Sequence, residues 1–93
     1  MANLASAKKR MRQNVKRRER NRRYRSAART FIKRSRQLIA QGNLEEAEEA
    51  VRQAVSTLDK AARKGIIHPN NAARRKSRIM SQLADARREA SAS

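Results

Sequence analysis

The chain lacks cysteine and tryptophan altogether, and Tyr24 and Phe31 are its only aromatic residues. Without cysteine it can form neither a disulfide nor a thiolate metal site, which fits a reducing compartment such as the cytoplasm. Any core must be built from Ala, Leu, Ile, Val and Met, and 93 residues allow at most one small domain. The sequence therefore predicts a small fold with a thin core.

Long apolar runs are missing as well, since the longest unbroken one covers only residues 38–40. A membrane-spanning helix needs roughly 20 apolar residues, and the core of a signal peptide needs about 7 to 15. We therefore expect a protein that neither spans a membrane nor is secreted.

Features of a catalytic or metal site are also scarce. The sequence has no glycine-rich phosphate loop and no nucleophile paired with a base, and His68 is its only histidine. The acids of LEEAEE, residues 44–49, are explained by the favourable field at a helix N-terminus. We expect no enzymatic activity, no catalytic or metal-binding residue, no cofactor and no small-molecule substrate.

Positive charge is what the sequence has in excess. Twenty-five Lys and Arg face eight Asp and Glu, which gives a net charge of +17. The stretch KKRMRQNVKRRERNRRYR, residues 8–25, holds eleven cations and a single acid, Glu19. Residues 1–40 carry a net charge of +14, residues 41–64 of −1 and residues 65–93 of +4. This imbalance predicts a polyanionic partner bound mainly by the first part of the chain.

Three chain breakers, Gly42, Gly65 and Pro69, divide the sequence into three segments rich in good helix formers. We expect Gly42 to end the first helix in the left-handed conformation. Asn43 is expected to cap the second helix in a capping box with Glu46, and His68 or Asn70 to cap a third helix that begins near Pro69.

Apolar residues recur at helical spacing in all three segments, which predicts an all-α three-helix bundle with a long, basic, projecting N-terminal helix. The stripes are Tyr24, Ala28, Phe31, Ser35 and Leu38, then Leu44, Ala47, Val51, Ala54, Leu58 and Ala61, then Ala72, Lys76, Ile79, Leu83, Ala86 and Ala90. We place Tyr24 in the core and expect the Lys76 ammonium to reach outward to RNA. The single domain, residues 1–93, comprises a basic arm at 1–23, the bundle at 24–90 and a disordered tail at 91–93.

The basic arm has almost no face with which to join the bundle, since Met11 and Val15 are the only apolar residues between Lys8 and Arg23. Like charges three and four residues apart repel on a helix, so the free arm is expected to be frayed or disordered. Cations on all sides of a helix suit a crevice walled by phosphates, as in folded RNA. A membrane surface would instead require an apolar face.

The predicted RNA-binding residues form two groups. Twelve cations are expected to contact phosphates: Lys8, Lys9, Arg10, Arg12, Lys16, Arg17, Arg18, Arg20, Arg22, Arg23, Arg25 and Arg29. Asn14, Asn21 and Ser26 are candidates for hydrogen bonds to riboses or base edges. A second cluster flanks the loop before the third helix: Lys64, His68, Arg74, Arg75, Lys76 and Arg78.

Other functions remain open on charge alone, among them a histone-like DNA compactor, a chaperone-like protein and a toxin–antitoxin component. Asn70, Ala73, Ser77 and Arg78 nearly match the recognition helix of a basic leucine zipper. Only fifteen residues follow Arg78, which is too few for the heptads of a zipper.

Several longer stretches resemble the bacterial small-subunit ribosomal protein family number twenty. They are NLASAKKRMRQN, NRRYRSAARTFIK and GNLEEAEEAVRQAVSTLDKAARKGIIHPNNAARRKSRIM, and the similarity runs from residue 2 to about residue 84. The combination of LDKAARKGIIH with NAARRKSRI is the most specific part.

This resemblance implies a non-catalytic structural constituent of the ribosome in the cytoplasm. It implies a three-helix bundle that binds 16S ribosomal RNA directly, low in the body of the small subunit and near the base of the long penultimate RNA helix. It also implies a role early in assembly, in which the protein holds RNA segments together beside other small-subunit components.

Overall fold

The computed structural model describes residues 2–92, with side chains over residues 4–92. It contains three helices, α1 (Ala2–Ala40), α2 (Leu44–Arg63) and α3 (Pro69–Ala92), and the described residues form no strand. The predicted all-α fold with a long first helix is confirmed. At about 1.5 Å per residue, the 39 residues of α1 span roughly 58 Å. They account for much of the 73 Å length of a molecule only 21 Å and 13 Å across.

The end of α3 differs from the sequence-based expectation. Ser91 and Ala92 were assigned to a disordered tail but lie within α3. The segment from Arg87 onward is rich in Arg, Glu and Ala, which favour helix, and it contains no breaker. Ser93 lies outside the described residues.

Both helix-to-helix turns use a glycine in the left-handed region. Gly42 has a φ of 77°, as predicted, and the N–H of Asn43 donates to the carbonyl of Leu38 at 3.0 Å. Gly65 has a φ of 74°, and the N–H of Ile66 likewise donates to a carbonyl of α2 at 2.8 Å. These bonds satisfy carbonyls at the ends of α1 and α2, so each helix stops where the next must turn back.

The two predicted N-caps have different outcomes. His68 Nδ1 accepts a hydrogen bond from the N–H of Asn70 at 3.1 Å, so His68 caps α3 in front of Pro69. The capping box of α2 is wrong, because the Asn43 side chain makes no cap hydrogen bond. The preceding turn already uses the Asn43 N–H and holds its backbone at φ −88° and ψ 73°, outside the extended conformation usual for a cap.

The core forms two apolar clusters between the helices. The larger one comprises Leu38, Ala47, Ala50, Val51, Ile79 and Leu83, and the smaller one, nearer the α2–α3 turn, comprises Ala28, Leu58 and Ala72. Ile32 packs against both clusters and joins them. Because alanine supplies much of this surface, the helices can approach closely around a thin core.

Tyr24, which we had placed in the core, is half-buried and belongs to neither cluster. It lies beside the α2–α3 turn, where the Lys64 ammonium sits 5.8 Å from the centre of its ring. The small side chain of Ala28 fills the core position one turn later, and the larger ring remains at the edge.

Candidate nucleic-acid interface

The basic arm is a helical extension of α1 without tertiary support. Every side chain described from Leu4 to Arg20 is exposed, and Asn21 is the first half-buried residue along the helix. Its Lys, Arg, Gln and Ala residues favour helix individually. Because the arm has no apolar face against the bundle, its surface is available to a partner.

The cations of the arm surround the helix. At 3.6 residues per turn, Lys9, Arg10, Arg12 and Arg18 occupy four different sides of the helix axis. Within the described residues, no Lys or Arg of α1 forms an ion pair, and all the ion pairs lie on α2 and α3. The arm therefore presents uncompensated positive charge on most of its sides.

One apolar strip interrupts this charge. Leu4, Met11 and Val15 are 60%, 66% and 50% exposed and lie along one line of the helix, at spacings of seven and four residues. By helical geometry this strip is roughly opposite the face that carries Ala28 and Leu38 into the core. It is too narrow to resemble the broad apolar face of a membrane-surface helix.

Two predicted RNA-binding cations instead connect α1, just after the arm, to the α2–α3 turn. The Arg25 guanidinium donates to the carbonyl of Ile66 at 3.1 Å, and Lys64 covers the ring of Tyr24. Both side chains belong to exposed residues, so these contacts orient them without removing them from the surface.

The second predicted cluster is divided by the fold rather than gathered into one patch. Lys76, expected to reach outward, donates from Nζ to Asp59 Oδ1 at 2.8 Å and lies between α2 and α3. His68 caps α3, and Arg74 is exposed without an ion-pair partner among the described residues. Arg75 and Arg78 line a groove against α1.

This α1–α3 groove has a volume of about 550 Å³ and brings together cations of two helices without an acid. It is lined by Arg29, Ile32, Lys33, Arg36 and Gln37 of α1 and by Arg75 and Arg78 of α3. Lys33 and Arg36 were not among the residues predicted to bind RNA. Their positions four and seven residues after Arg29 place them on the same face of α1 and were the available signal.

The opposite face, formed by α2 and α3, carries acids as well as cations. Glu48 pairs with Arg52 at 3.2 Å and also with Arg87. A cavity of about 650 Å³ on this side is lined by apolar residues, among them Val51, Leu83 and Met80, and by charged residues of both signs. The charge that can attract an anion is thus concentrated on α1 and in the α1–α3 groove.

The described residues hold no group of His, Asp or Glu suited to a metal ion. No described helix is both long enough and apolar enough to cross a membrane. What the geometry does offer is the binding of anions by many cations.

Comparison with known proteins shows which family the chain resembles. A family model described as Ribosomal protein S20 matches residues 2–84. Over 83 residues, the chain is 55% identical to the small ribosomal subunit protein bS20 of Thermomicrobium roseum, covering 89% of this chain and 84% of that protein. Proteins with the same name from Acinetobacter baumannii and Acinetobacter baylyi are each 54% identical over 83 residues, which cover 94% and 93% of those proteins.

Proposed function

This chain belongs to the ribosomal protein S20 family, and we propose that it binds 16S ribosomal RNA directly through α1 and stabilises the folding of that RNA during assembly. Proteins of this family are structural, non-enzymatic constituents of the small ribosomal subunit, so the chain is part of the cytoplasmic ribosome.

The unpaired charge of the arm is the observation that carries the proposal. Ten cations between Lys8 and Arg23 face one acid, and none of them has an ion-pair partner in the described part of the chain. Phosphate groups supply the missing negative charge, and the release of their counterions favours binding. Like-charge repulsion along the arm is relieved in the same step.

The geometry favours folded RNA over a flat charged surface. A surface that touches one side of the arm would neutralise only the cations on that side. Phosphates from several strands, packed around a crevice, reach all sides of the helix. Contacts of this kind fix the position and orientation of the protein, and we expect Asn14, Asn21 and Ser26 to add hydrogen bonds to riboses or base edges.

Competition binding across a salt series tests this function. The full chain is bound to labelled 16S ribosomal RNA and challenged with transfer RNA or duplex DNA at increasing salt. A complex with six to ten phosphate contacts loses about 10³ to 10⁵ in affinity between about 50 and 200 mM salt. Nonspecific complexes dissociate first because phosphate contacts supply essentially all of their affinity. We expect the ribosomal RNA complex to persist after both competitors are released. Release of all three together would show a general polyanion binder, such as a DNA compactor, and would reject the proposal.

A further inference from the structure

We propose that the α1–α3 groove is a phosphate-binding site distinct from the arm. The groove binds the backbone of one RNA strand at more than one phosphate. In this site Lys33 and Arg36 act together with Arg29, Arg75 and Arg78. The inference rests on the proposed function, since it assumes that RNA is the partner, and it adds a separate place of contact.

Charge is the first argument for this site. Five of the seven residues that line the groove are cations, and none is an acid. None of the five forms an ion pair within the described residues, although α2 and α3 carry several such pairs on their other sides. Holding five like charges around one groove is unfavourable until anions enter it. A polymer of phosphates supplies several negative charges along one line, which a single small anion cannot.

The spacing of the cations also fits an extended strand. Arg29, Lys33 and Arg36 extend over about 10 Å of one face of α1, at 1.5 Å per residue. Arg75 and Arg78 stand one turn apart on the opposing helix. Arginine can donate two parallel hydrogen bonds to a phosphate, so cations on both walls can hold a strand between them.

The floor of the groove is anchored in the core. Ile32 lines the groove and packs against both apolar clusters, which fixes the α1 wall relative to the rest of the bundle. Its exposed part offers an apolar surface to the carbon face of a ribose. A preformed site loses less conformational freedom when a ligand binds than the unsupported arm does.

The groove is separate from the arm along α1. Arg29, the groove cation nearest the arm, lies roughly 9 Å along the helix from Arg23, and Lys33 lies roughly 15 Å from it. Because Lys33 and Arg36 are the groove cations of α1 farther from the arm, we expect their contributions to the salt dependence of binding to add to those of the arm.

The test compares two double variants of the full chain that lose the same charge. K33Q/R36Q alters the groove, whereas K60Q/R63Q removes two exposed, unpaired cations of α2 beside the opposite cavity. Each phosphate contact adds about 0.7 to 0.9 to the slope of log affinity against log salt. We expect K33Q/R36Q to reduce this slope by roughly 1.5 for 16S ribosomal RNA, and K60Q/R63Q to leave it near the unsubstituted value. Equal reductions in both variants would show a net-charge effect alone and would overturn the inference.

Phosphate-ethylation interference then locates the lost contacts. Ethylation of a contacted phosphate weakens the binding of the unsubstituted chain. In K33Q/R36Q this weakening should disappear at one short run of nucleotides, and in an arm variant, R17Q/R18Q, it should disappear at a different run. The same run in both would show that the groove is not a separate site.

If ribosomal RNA shows no advantage over transfer RNA and DNA in the competition experiment, the proposed function itself fails. If that advantage is clear but K33Q/R36Q behaves like the unsubstituted chain, only the groove proposal is rejected.

Discussion

Ser35 is a polar residue in the middle of the core stripe of α1, and its side chain is fully buried. Its Oγ donates to the carbonyl of Phe31, one turn earlier, at 2.7 Å. The hydroxyl is therefore satisfied inside its own helix and needs no partner from α2 or α3. What the bundle requires at this position is a small side chain rather than a polar one.

We expect Ser35→Ala to change the free energy of unfolding by no more than about 1 kcal/mol, because it removes both the hydroxyl and its need for a partner. Ser35→Leu should destabilise the bundle by about 1 to 3 kcal/mol, because the larger side chain must force the packed helices apart. Urea unfolding followed by circular dichroism measures both. A larger loss of stability for Ser35→Ala than for Ser35→Leu would show that the hydroxyl group, and not the small size of the side chain, stabilises the bundle.

Lys76 shows what the sequence could not reveal at this scale. Its place in an apolar stripe correctly marked the position as facing the bundle. No sequence pattern indicated that Asp59 of α2 would lie 2.8 Å from its ammonium. Such a pair depends on how far α2 and α3 are rotated about their own axes, which small differences in alanine packing determine.

At the scale of elements, the two glycine turns decide where the helices end. Gly42 has a φ of 77°, and a Cβ added there would meet nothing within 4 Å. Any cost of a side chain at this position therefore comes from backbone conformation and not from collision with a neighbour.

Gly42→Ala should lower the free energy of unfolding by about 1 to 2 kcal/mol, the cost of the left-handed conformation for an ordinary residue. Gly42→Asn should lose less, because asparagine adopts this conformation more readily. Thermal unfolding of the two variants beside the unsubstituted chain measures the difference. Equal stability of all three would mean that the turn can form without a left-handed residue.

The helices were readable from the sequence, whereas one of the surfaces between them was not. Gly42, Gly65 and Pro69 marked the breaks because their backbone requirements are local. The α1–α3 groove arises only when Arg29 and its neighbours are brought opposite Arg75 and Arg78. Sequence analysis accordingly grouped Arg75 and Arg78 with Lys64 and His68, their neighbours along the chain.

At the scale of the whole molecule, charge and packing are divided between different parts. The bundle is held by apolar contacts, and four of its seven acids form ion pairs on α2 and α3. The arm contributes most of the +17 net charge and none of the core. Binding and folding should therefore respond independently to substitutions in the arm.

One measurement tests this division most directly, a comparison of R17Q/R18Q/R22Q/R23Q with the unsubstituted chain. All four arginines are exposed and form no hydrogen bond or ion pair with the described residues. Binding to 16S ribosomal RNA is measured across a salt series, and the melting temperature of each protein is measured alone. We predict weaker binding, a salt slope reduced by roughly 3 and an almost unchanged melting temperature. Binding and slope equal to those of the unsubstituted chain, or a melting temperature that falls with the affinity, would contradict the account.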